Sequence, residues 1–273
     1  MFIDKTIAFI GGGTMGEAMI RGLLEQKIIS ADQIIAADPW KPRLEELEAK
    51  YGIKTTLDNR EAAETGQVVV LSIKPQSLHL VMPEIRGHLR RQDLLLSILA
   101  GVPIKKIADG TAHAAVVRAM PNTPAQIGQG ISVWTGTPEV SEMHLNQAKA
   151  ILGSFGQEIF VEEEGYLDMA TALSGSGPGY VFLFMEAMID AGVHMGFSRR
   201  IAEQLVFQTM LGSVLYAQQS GKHVAELRNQ VTSPGGTTAA ALYHMEKGGL
   251  RTVMSRGIWA AYERSRELGK GEG

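Results

Sequence analysis

The feature that most constrains the fold is a short apolar run that leads directly into a glycine-rich turn. Lys5 to Ile10 (KTIAFI) ends at Gly11, and Thr14 to Lys27 then carries apolar residues at helical spacing. The three glycines of Gly11-x-Gly13-x-x-Gly16 suit a tight turn, a close backbone approach to a pyrophosphate, and close packing of helix on strand. The helix N-terminus adds free N–H groups and a positive dipole for phosphates. This pattern predicts a dinucleotide-binding strand–turn–helix unit, with a glycine-rich turn that binds no ligand as the alternative.

Strands and helices alternate through the first part of the chain and then give way to helices alone. Strands are predicted at the apolar runs 33–37, 68–73, 94–99, 115–119, 131–135 and 159–161, and the runs VVVLSI and LLLSIL are typical of strands buried on both faces of a parallel sheet. From Gly165 onward the pattern predicts only helices, at 178–196, 199–219, 223–230, 237–247 and 249–268. We therefore expect an α/β protein: a Rossmann-type doubly wound sheet in residues 1–162, which binds the dinucleotide, and an all-α dimerisation and substrate domain in residues 163–273.

One predicted helix is apolar on almost every side. The segment Tyr180 to Met195 (YVFLFMEAMIDAGVHM) exceeds what a single domain surface needs to cover, which favours a helix buried against a partner chain. Glu186, Asp190 and His194 share a stripe of this helix. We interpret them as polar groups at an interface rather than as an acid/base or metal site, and we predict no metal.

Composition excludes several classes of protein. The 26 Lys and Arg residues are scattered and are balanced by 29 Asp and Glu residues, for a net charge of −3, which disfavours nucleic-acid binding. No cysteine is present, so disulfides and thiol catalysis are excluded. No apolar run reaches the roughly 20 residues of a membrane helix, and Met1 to Lys5 lacks the pattern of a signal peptide. The expectation is a cytoplasmic protein with no membrane partner and no nucleic-acid partner.

Asp38 follows the predicted second strand, 22 residues after Gly16. A carboxylate at this position accepts hydrogen bonds from the ribose of NAD and repels the 2′-phosphate of NADP. Lys41 and Arg43 lie just beyond it and could bind that phosphate instead, or could be solvated charges at the start of a helix. The sequence leaves the choice between NADH and NADPH open.

Three successive strands end in small, proline or amide residues. These are Lys74-Pro75, Ala100-Gly101, and the segment Met120 to Pro124, which contains Asn122. Carboxyl ends of parallel strands share the edge at which such sheets bind ligands. Each segment alone is typical of a structural turn, and together they favour a nicotinamide site.

The helical part carries its own candidate site in Thr232-Ser233-Pro234-Gly235-Gly236-Thr237-Thr238. Hydroxyls, a proline and paired glycines that open a helix expose a cluster of N–H donors suited to a carboxylate. Ordinary helix capping is the alternative, but two glycines and four hydroxyls exceed what a cap needs.

A dinucleotide domain followed by a helical substrate domain implies hydride transfer. Ketone reduction needs a proton donor, which hydroxyacid dehydrogenases of similar architecture place about four residues beyond a Gly-x-Gly. Here that position is Val181, and no Lys or Arg occurs from Pro178 to Ser198. An imine can arrive already protonated, so orientation and one hydrogen bond suffice. The sequence favours a cyclic imino acid, with a 3-hydroxyacid-type dehydrogenase and a non-catalytic dinucleotide sensor as alternatives.

The chain resembles the pyrroline-5-carboxylate reductases, the last enzymes of proline biosynthesis, along nearly its whole length. The matching segments are 11–16, 73–75, 100–102, 118–124, 173–178 and, most specifically, Thr232 to Thr238. The resemblance implies NAD(P)H-dependent reduction of 1-pyrroline-5-carboxylate to L-proline. It also implies homodimers joined through the helical domains, which can assemble further into homodecamers.

The resemblance also implies roles for individual residues. The cofactor would lie across Ile10, Gly11, Gly12, Gly13, Thr14, Met15, Asp38, Asn59, Ser72, Ile73, Lys74, Pro75, Ala100 and Gly101. The substrate carboxylate would meet Ser233 and the backbone of Gly235, Gly236, Thr237 and Thr238. The Thr238 hydroxyl would hydrogen-bond the ring nitrogen during catalysis.

Overall fold

A computed structural model describes Phe2 and residues 4–270. The chain forms two compact units: a first unit that runs to Ser176 and takes in the described residues from Ala261 onward, and a helical unit of Gly177–Ala260. The domain boundary predicted at 162/163 falls just after the last strand, whereas the compact units divide at 176/177. The predicted boundary therefore stays a prediction.

Among the described residues, the first unit is built on one sheet of eight strands, in the order β3-β2-β1-β4-β5-β6-β7-β8. Neighbouring strands are parallel except β6 and β7, which pair antiparallel. The order reverses between β1 and β4, as a doubly wound sheet requires, which confirms the predicted fold class. The strands are β1 (Ile7–Ile10), β2 (Ile34–Ala37), β3 (Lys54–Thr56), β4 (Val68–Leu71), β5 (Leu94–Ser97), β6 (Val116–Met120), β7 (Gly130–Gly136) and β8 (Gly156–Phe160).

Helices cover both faces of this sheet. Because side chains alternate along a strand, Ile7 and Phe9 of β1 join one buried cluster with α1 and α6, while Ala8 and Ile10 join a second with α3, α4 and α5. Both faces of the sheet are therefore buried, which explains the continuous apolar runs of β1, β4 and β5. The helices are α1 (Thr14–Glu25), α2 (Lys41–Tyr51), α3 (Asn59–Thr65), α4 (Leu78–Ile85), α5 (Ile104–Thr111), α6 (Glu142–Gly153) and α7 (Gly165–Ala170).

A buried arginine organises the end of the first unit. The Arg118 guanidinium on β6 binds Glu164 at 2.6 Å and lies 3.6 Å from Asp168. Asp168 in turn accepts a hydrogen bond of 2.8 Å from the Ser265 hydroxyl. This network links α7 and Ser265 to the sheet.

The helical unit contains only helices, as predicted. They are α8 (Gly177–His194), α9 (Arg199–Ser220), α10 (Val224–Gln230), α11 (Thr237–Lys247) and the first half of α12 (Leu250–Lys270), which ends in the first unit. Ile189, Ala202 and Val206 form its small buried cluster. None of the helices in the described part of the chain is long and apolar enough to cross a membrane.

Candidate functional site

The glycine loop between β1 and α1 is fixed by close contacts that only glycine permits. Gly11 has a φ of +104°, and a Cβ there would lie 2.7 Å from the backbone of Ser72. A Cβ at Gly16 would lie 2.5 Å from the carbonyl oxygen of Gly11. These two glycines let helix, turn and neighbouring strand approach one another.

Gly13 differs from these two glycines because no other atoms crowd the position that its Cβ would occupy. Its φ of −66° suits any residue, and a Cβ there would meet nothing within 4 Å. Gly13 and Thr14 are exposed at the start of α1, whose first amides have no intrahelical acceptor. The loop therefore leaves room and free donors for an anionic group, and it fits the pyrophosphate of a dinucleotide.

Asp38 is tied to this loop by both of its carboxylate oxygens. Oδ2 accepts from the amide of Gly12 at 2.9 Å, and Oδ1 accepts from the amide of Trp40 at 2.9 Å. The carboxylate thus lies beside the glycine turn at the carboxyl end of β2. This is the position from which an acidic side chain binds the ribose next to adenine.

Arg43 and Glu17 form a bridge between α2 and α1 beside the same turn. Arg43 donates from Nε to the Gly12 carbonyl at 2.6 Å, from Nη1 to Glu46 at 2.7 Å, and from Nη2 to Glu17. Glu17 also accepts from Lys50 at 2.7 Å and from the Tyr51 hydroxyl at 2.8 Å. Sequence reasoning singled out Arg43 but missed Glu17, which could have been found as a carboxylate on the first turn of the helix that follows the glycine motif.

This bridge keeps Glu17 ionised. Partial burial acts to raise its pKa, but the hydrogen bonds from Arg43, Lys50 and Tyr51 outweigh burial and lower the pKa from 4.5 to about 2. The pKa of Arg43 is raised: burial opposes its charge, and the bonds to Glu17 and Glu46 overcome that effect. Both groups are fully charged at neutral pH.

The predicted residues at the strand ends lie at the carboxyl edge of the sheet. Ser72 follows β4 and donates from its hydroxyl to the Gly11 carbonyl at 2.7 Å, which links the two loops. Ile73 packs beside Gly11, and Lys74 and Pro75 are exposed. Ala100 and Gly101 follow β5, and Gly101 has a φ of +68°.

Two predicted cofactor residues have their amides engaged within the protein. The Asn122 Nδ2 donates to the Ser174 carbonyl at 3.2 Å, and its Oδ1 accepts from the amide of Ile131 at 2.9 Å. Asn122 therefore braces the π-helical turn Thr171–Gly175, whereas the sequence pattern predicts direct contact with a cofactor. Asn59 begins α3 and donates to Glu84 at 2.7 Å.

The second candidate site is the loop that opens α11 in the helical unit. Gly236 donates to the Ser233 carbonyl at 3.0 Å across a turn in which Gly235 has a φ of +70°, so a side chain at Gly235 would be strained. A Cβ at Gly236 would lie 2.5 Å from the Ser233 hydroxyl, which shows that this hydroxyl folds over the start of the helix. The first helical bond runs from Ala240 to Gly236, so the amides of Thr237 and Thr238 remain free of intrahelical acceptors.

The polar stripe on α8 lies on an exposed side of that helix. Asp190 pairs with Arg199 at 2.9 Å, and Glu186 and His194 are exposed. No group of three potential metal-ligating side chains occurs among the residues that the structure describes.

A doubly wound sheet with a pyrophosphate cradle, followed by a helical unit with a donor-rich loop, defines an oxidoreductase that uses a nicotinamide dinucleotide. Two family models match in succession: NADP oxidoreductase, coenzyme F420-dependent, over residues 6–101, and pyrroline-5-carboxylate reductase dimerisation over residues 164–268. The pyrroline-5-carboxylate reductase of Synechocystis sp. is 40% identical over 264 residues, which are 97% of this chain and 98% of that protein.

Solved structures agree with this similarity. A pyrroline-5-carboxylate reductase from Coxiella burnetii superposes with a TM-score of 0.89 at 36% identity, and pyrroline carboxylate reductase from Plasmodium falciparum with NADP bound gives 0.89 at 32% identity. Each comparison covers 97% of this chain and 98% of the other. The chain belongs to the pyrroline-5-carboxylate reductase family, which confirms the resemblance seen in the sequence.

Proposed function

We propose that this chain reduces the cyclic imine 1-pyrroline-5-carboxylate to L-proline with NADPH or NADH, the last step of proline biosynthesis. The observation that carries this proposal is the similarity over 97% of the chain to enzymes with that name. The loop from Thr232 to Thr238 supports it, because its donors suit a substrate that carries a carboxylate beside its reacting bond.

The substrate is held through its carboxylate. The Ser233 hydroxyl lies over the start of α11, where the free amides of Thr237 and Thr238 and the positive end of the helix dipole also point. Together these donors bind one carboxylate, and Gly235 and Gly236 give the loop the shape that the site needs. Ser233, Gly235, Gly236, Thr237 and Thr238 are therefore the substrate-binding residues that we propose.

Thr238 is the proposed catalytic residue. A dinucleotide held in the proposed cofactor site would supply the hydride for the imine carbon. The substrate ring nitrogen arrives protonated, so the enzyme needs no proton donor, and the Thr238 hydroxyl oxygen accepts a hydrogen bond from that N–H and orients the ring. This agrees with the lack of Lys and Arg between Pro178 and Ser198, which disfavours a 3-hydroxyacid-type dehydrogenase.

The cofactor site that we propose comprises the glycine loop and the ends of the neighbouring strands. The loop from Gly11 to Gly16 would bind the pyrophosphate, and Asp38 would bind the adenosine ribose. The nicotinamide half would lie against Ser72 to Pro75, Ala100 and Gly101. Three further residues support the shape of this site, because the nitrogens of each side chain donate to protein groups. They are Arg43, Asn59 and Asn122.

We further propose that the chain works as a cytoplasmic homodimer, which can assemble into a homodecamer. Large apolar side chains of α8 are exposed in the single chain, including Phe182 at 62% and Leu183 at 67%. Helices α8 and α12 also line an open apolar groove of about 270 Å³ within the helical unit. A second copy of this unit would cover these surfaces, which fits the dimerisation model that residues 164–268 match.

The direct test is oxidation of NADPH and of NADH by the purified protein with 1-pyrroline-5-carboxylate, followed by absorbance. Rapid oxidation that depends on substrate, with L-proline as product, is the expected result. If folded protein binds dinucleotide but oxidises neither cofactor, the result favours a dinucleotide sensor. A sensor has no use for the loop from Thr232 to Thr238, so it should also fail to bind proline as a substrate analogue.

A further inference from the structure

The side chains beside the glycine turn bear on a choice that the proposed function leaves open. NADH and NADPH differ only at the 2′ position of the adenosine ribose, where NADPH carries a phosphate. We propose that the Glu17–Arg43 ion pair and Asp38 together select NADH, by keeping Arg43 away from a 2′-phosphate. This inference rests on the proposed cofactor site but not on the identity of the imine substrate.

Arg43 lies beside the glycine turn, where its Nε donates to the Gly12 carbonyl, and its donors are already in use. All three of its guanidinium nitrogens donate to protein groups, namely the Gly12 carbonyl, Glu46 and Glu17. Its side chain is only 13% exposed. Since an arginine binds phosphate best with two parallel N–H donors directed at it, Arg43 would have to leave a carboxylate first.

The carboxylates at this position outnumber the cations that neutralise them. Glu17 and Glu46 share Arg43, and Lys50 also pairs with Glu17. Asp38 has no cationic partner among the described residues, because its oxygens accept from the amides of Gly12 and Trp40. A phosphate dianion placed beside Asp38 would be repelled, whereas a ribose hydroxyl could donate to the same carboxylate.

A further cation near the start of α2, Lys41, does not reverse this balance. Lys41 is at the start of α2, its side chain is 72% exposed, and it lies 3.6 Å from Glu45. An exposed, solvated ammonium adds little to binding unless it is desolvated. The pKa of Glu17 is lowered to about 2, so Glu17 stays ionised and paired with Arg43 at neutral pH.

The test is calorimetric titration of the full chain with NADH and with NADPH, without the imine substrate. For the unmodified protein we expect NADH to bind more tightly by about tenfold, the size of one charge-assisted contact. Glu17→Gln should release Arg43 and bring the two dissociation constants to within roughly threefold, mainly by tightening NADPH. Glu25→Gln is the matched control, since Glu25 is an exposed carboxylate on the same helix that pairs with Arg21.

Arg43→Ala distinguishes a structural role of Arg43 from direct binding of the 2′-phosphate. If Arg43 acts by holding Gly12 and Glu17, its loss weakens the binding of NADH and of NADPH by the same factor. If Arg43 binds the 2′-phosphate directly, its loss weakens the binding of NADPH alone. The inference is overturned by NADPH binding at least as tightly as NADH, by a selective loss of NADPH in Arg43→Ala, or by an unchanged ratio in Glu17→Gln. Because these titrations need no turnover, failure of the reductase assay and failure of this inference give different results.

Discussion

The hydroxyl group of Thr238 lies on the first turn of α11 and donates or accepts no hydrogen bond within the part of the chain that the structure describes. We expect Thr238→Ala to lower kcat by about 10- to 100-fold, or about 1–3 kcal/mol, if the bond to the ring nitrogen strengthens in the transition state. Steady-state kinetics with 1-pyrroline-5-carboxylate measure this effect. Thr238→Ser keeps the hydroxyl and should retain most of the rate, while an unaltered kcat in Thr238→Ala would remove this residue from the mechanism.

Ser233 gives the contrasting case on the same loop. Its hydroxyl is proposed to bind the substrate carboxylate, which is equally charged in the ground state and the transition state. Ser233→Ala should therefore raise KM by about tenfold and leave kcat nearly constant. An effect confined to kcat would contradict its role as an anchor.

The three glycines of the Gly-x-Gly-x-x-Gly motif divide into Gly13, which faces open space, and Gly11 and Gly16, which are packed. A Cβ at Gly13 meets nothing, so we expect Gly13→Ala to cost about 1 kcal/mol or less in stability, the effect of a poorer helix cap, yet to weaken cofactor binding. Gly16→Ala forces a Cβ to within 2.5 Å of the Gly11 carbonyl and should destabilise the fold by about 2 kcal/mol or more. Thermal unfolding and dinucleotide titration of both variants test the contrast, which fails if Gly13→Ala binds cofactor normally.

At the scale of elements, sequence patterns predicted the strands that form continuous apolar runs and the helices of the helical unit. Strands β4 and β5 are buried on both faces, so their apolar runs were recognised, and the helices from α8 to α12 were predicted to within about three residues. Strand β3 was missed because Lys54–Thr56 is polar, three residues long and on the sheet edge, and pairs only with β2. Its existence depends on a tertiary partner, which a local pattern cannot show.

In the candidate site, too, features that depend on local sequence were predicted and features that depend on tertiary contacts were not. The glycine motif was found because its spacing reflects backbone requirements that are local in sequence. The partners of Asn122 were not predictable, because Ser174 lies 52 residues away and becomes a neighbour only through the fold. The bridge from Glu17 to Arg43, Lys50 and Tyr51 likewise depends on how α1 and α2 pack.

That bridge makes a prediction about acid stability. The pKa of Glu17 is lowered in the folded state, so its contribution to stability is complete above the unfolded value of 4.5 and disappears as the pH falls towards about 2. Glu17→Gln should thus lower the free energy of unfolding by about 1–3 kcal/mol at neutral pH, with a difference that shrinks steadily below pH 4.5. Thermal or denaturant unfolding at several pH values measures this difference, and a difference independent of pH down to pH 3 would exclude the ion pair as its source.

At the scale of the whole molecule, the two units differ in how well a single chain buries its apolar residues. The first unit has two large buried clusters that cover both faces of its sheet. In the helical unit the buried cluster consists of three residues, while Phe182, Leu183 and Phe207 are exposed. A helical unit of this composition needs a further surface to pack against, since exposed apolar area of this extent is unusual in a monomer.

A charge placed on that surface tests whether a second copy covers it. We expect the protein to behave in light scattering as a particle of at least twice the 29.5 kDa of one chain, because association buries the apolar face of α8. Leu183→Glu should shift the mass towards that of one chain, since an unpaired carboxylate in the interface opposes association. Leu80→Glu is the matched control, because Leu80 is similarly exposed, at 61%, but lies on α4 of the first unit. A stable folded monomer of the unmodified protein, or equal behaviour of the two variants, would contradict dimerisation through α8.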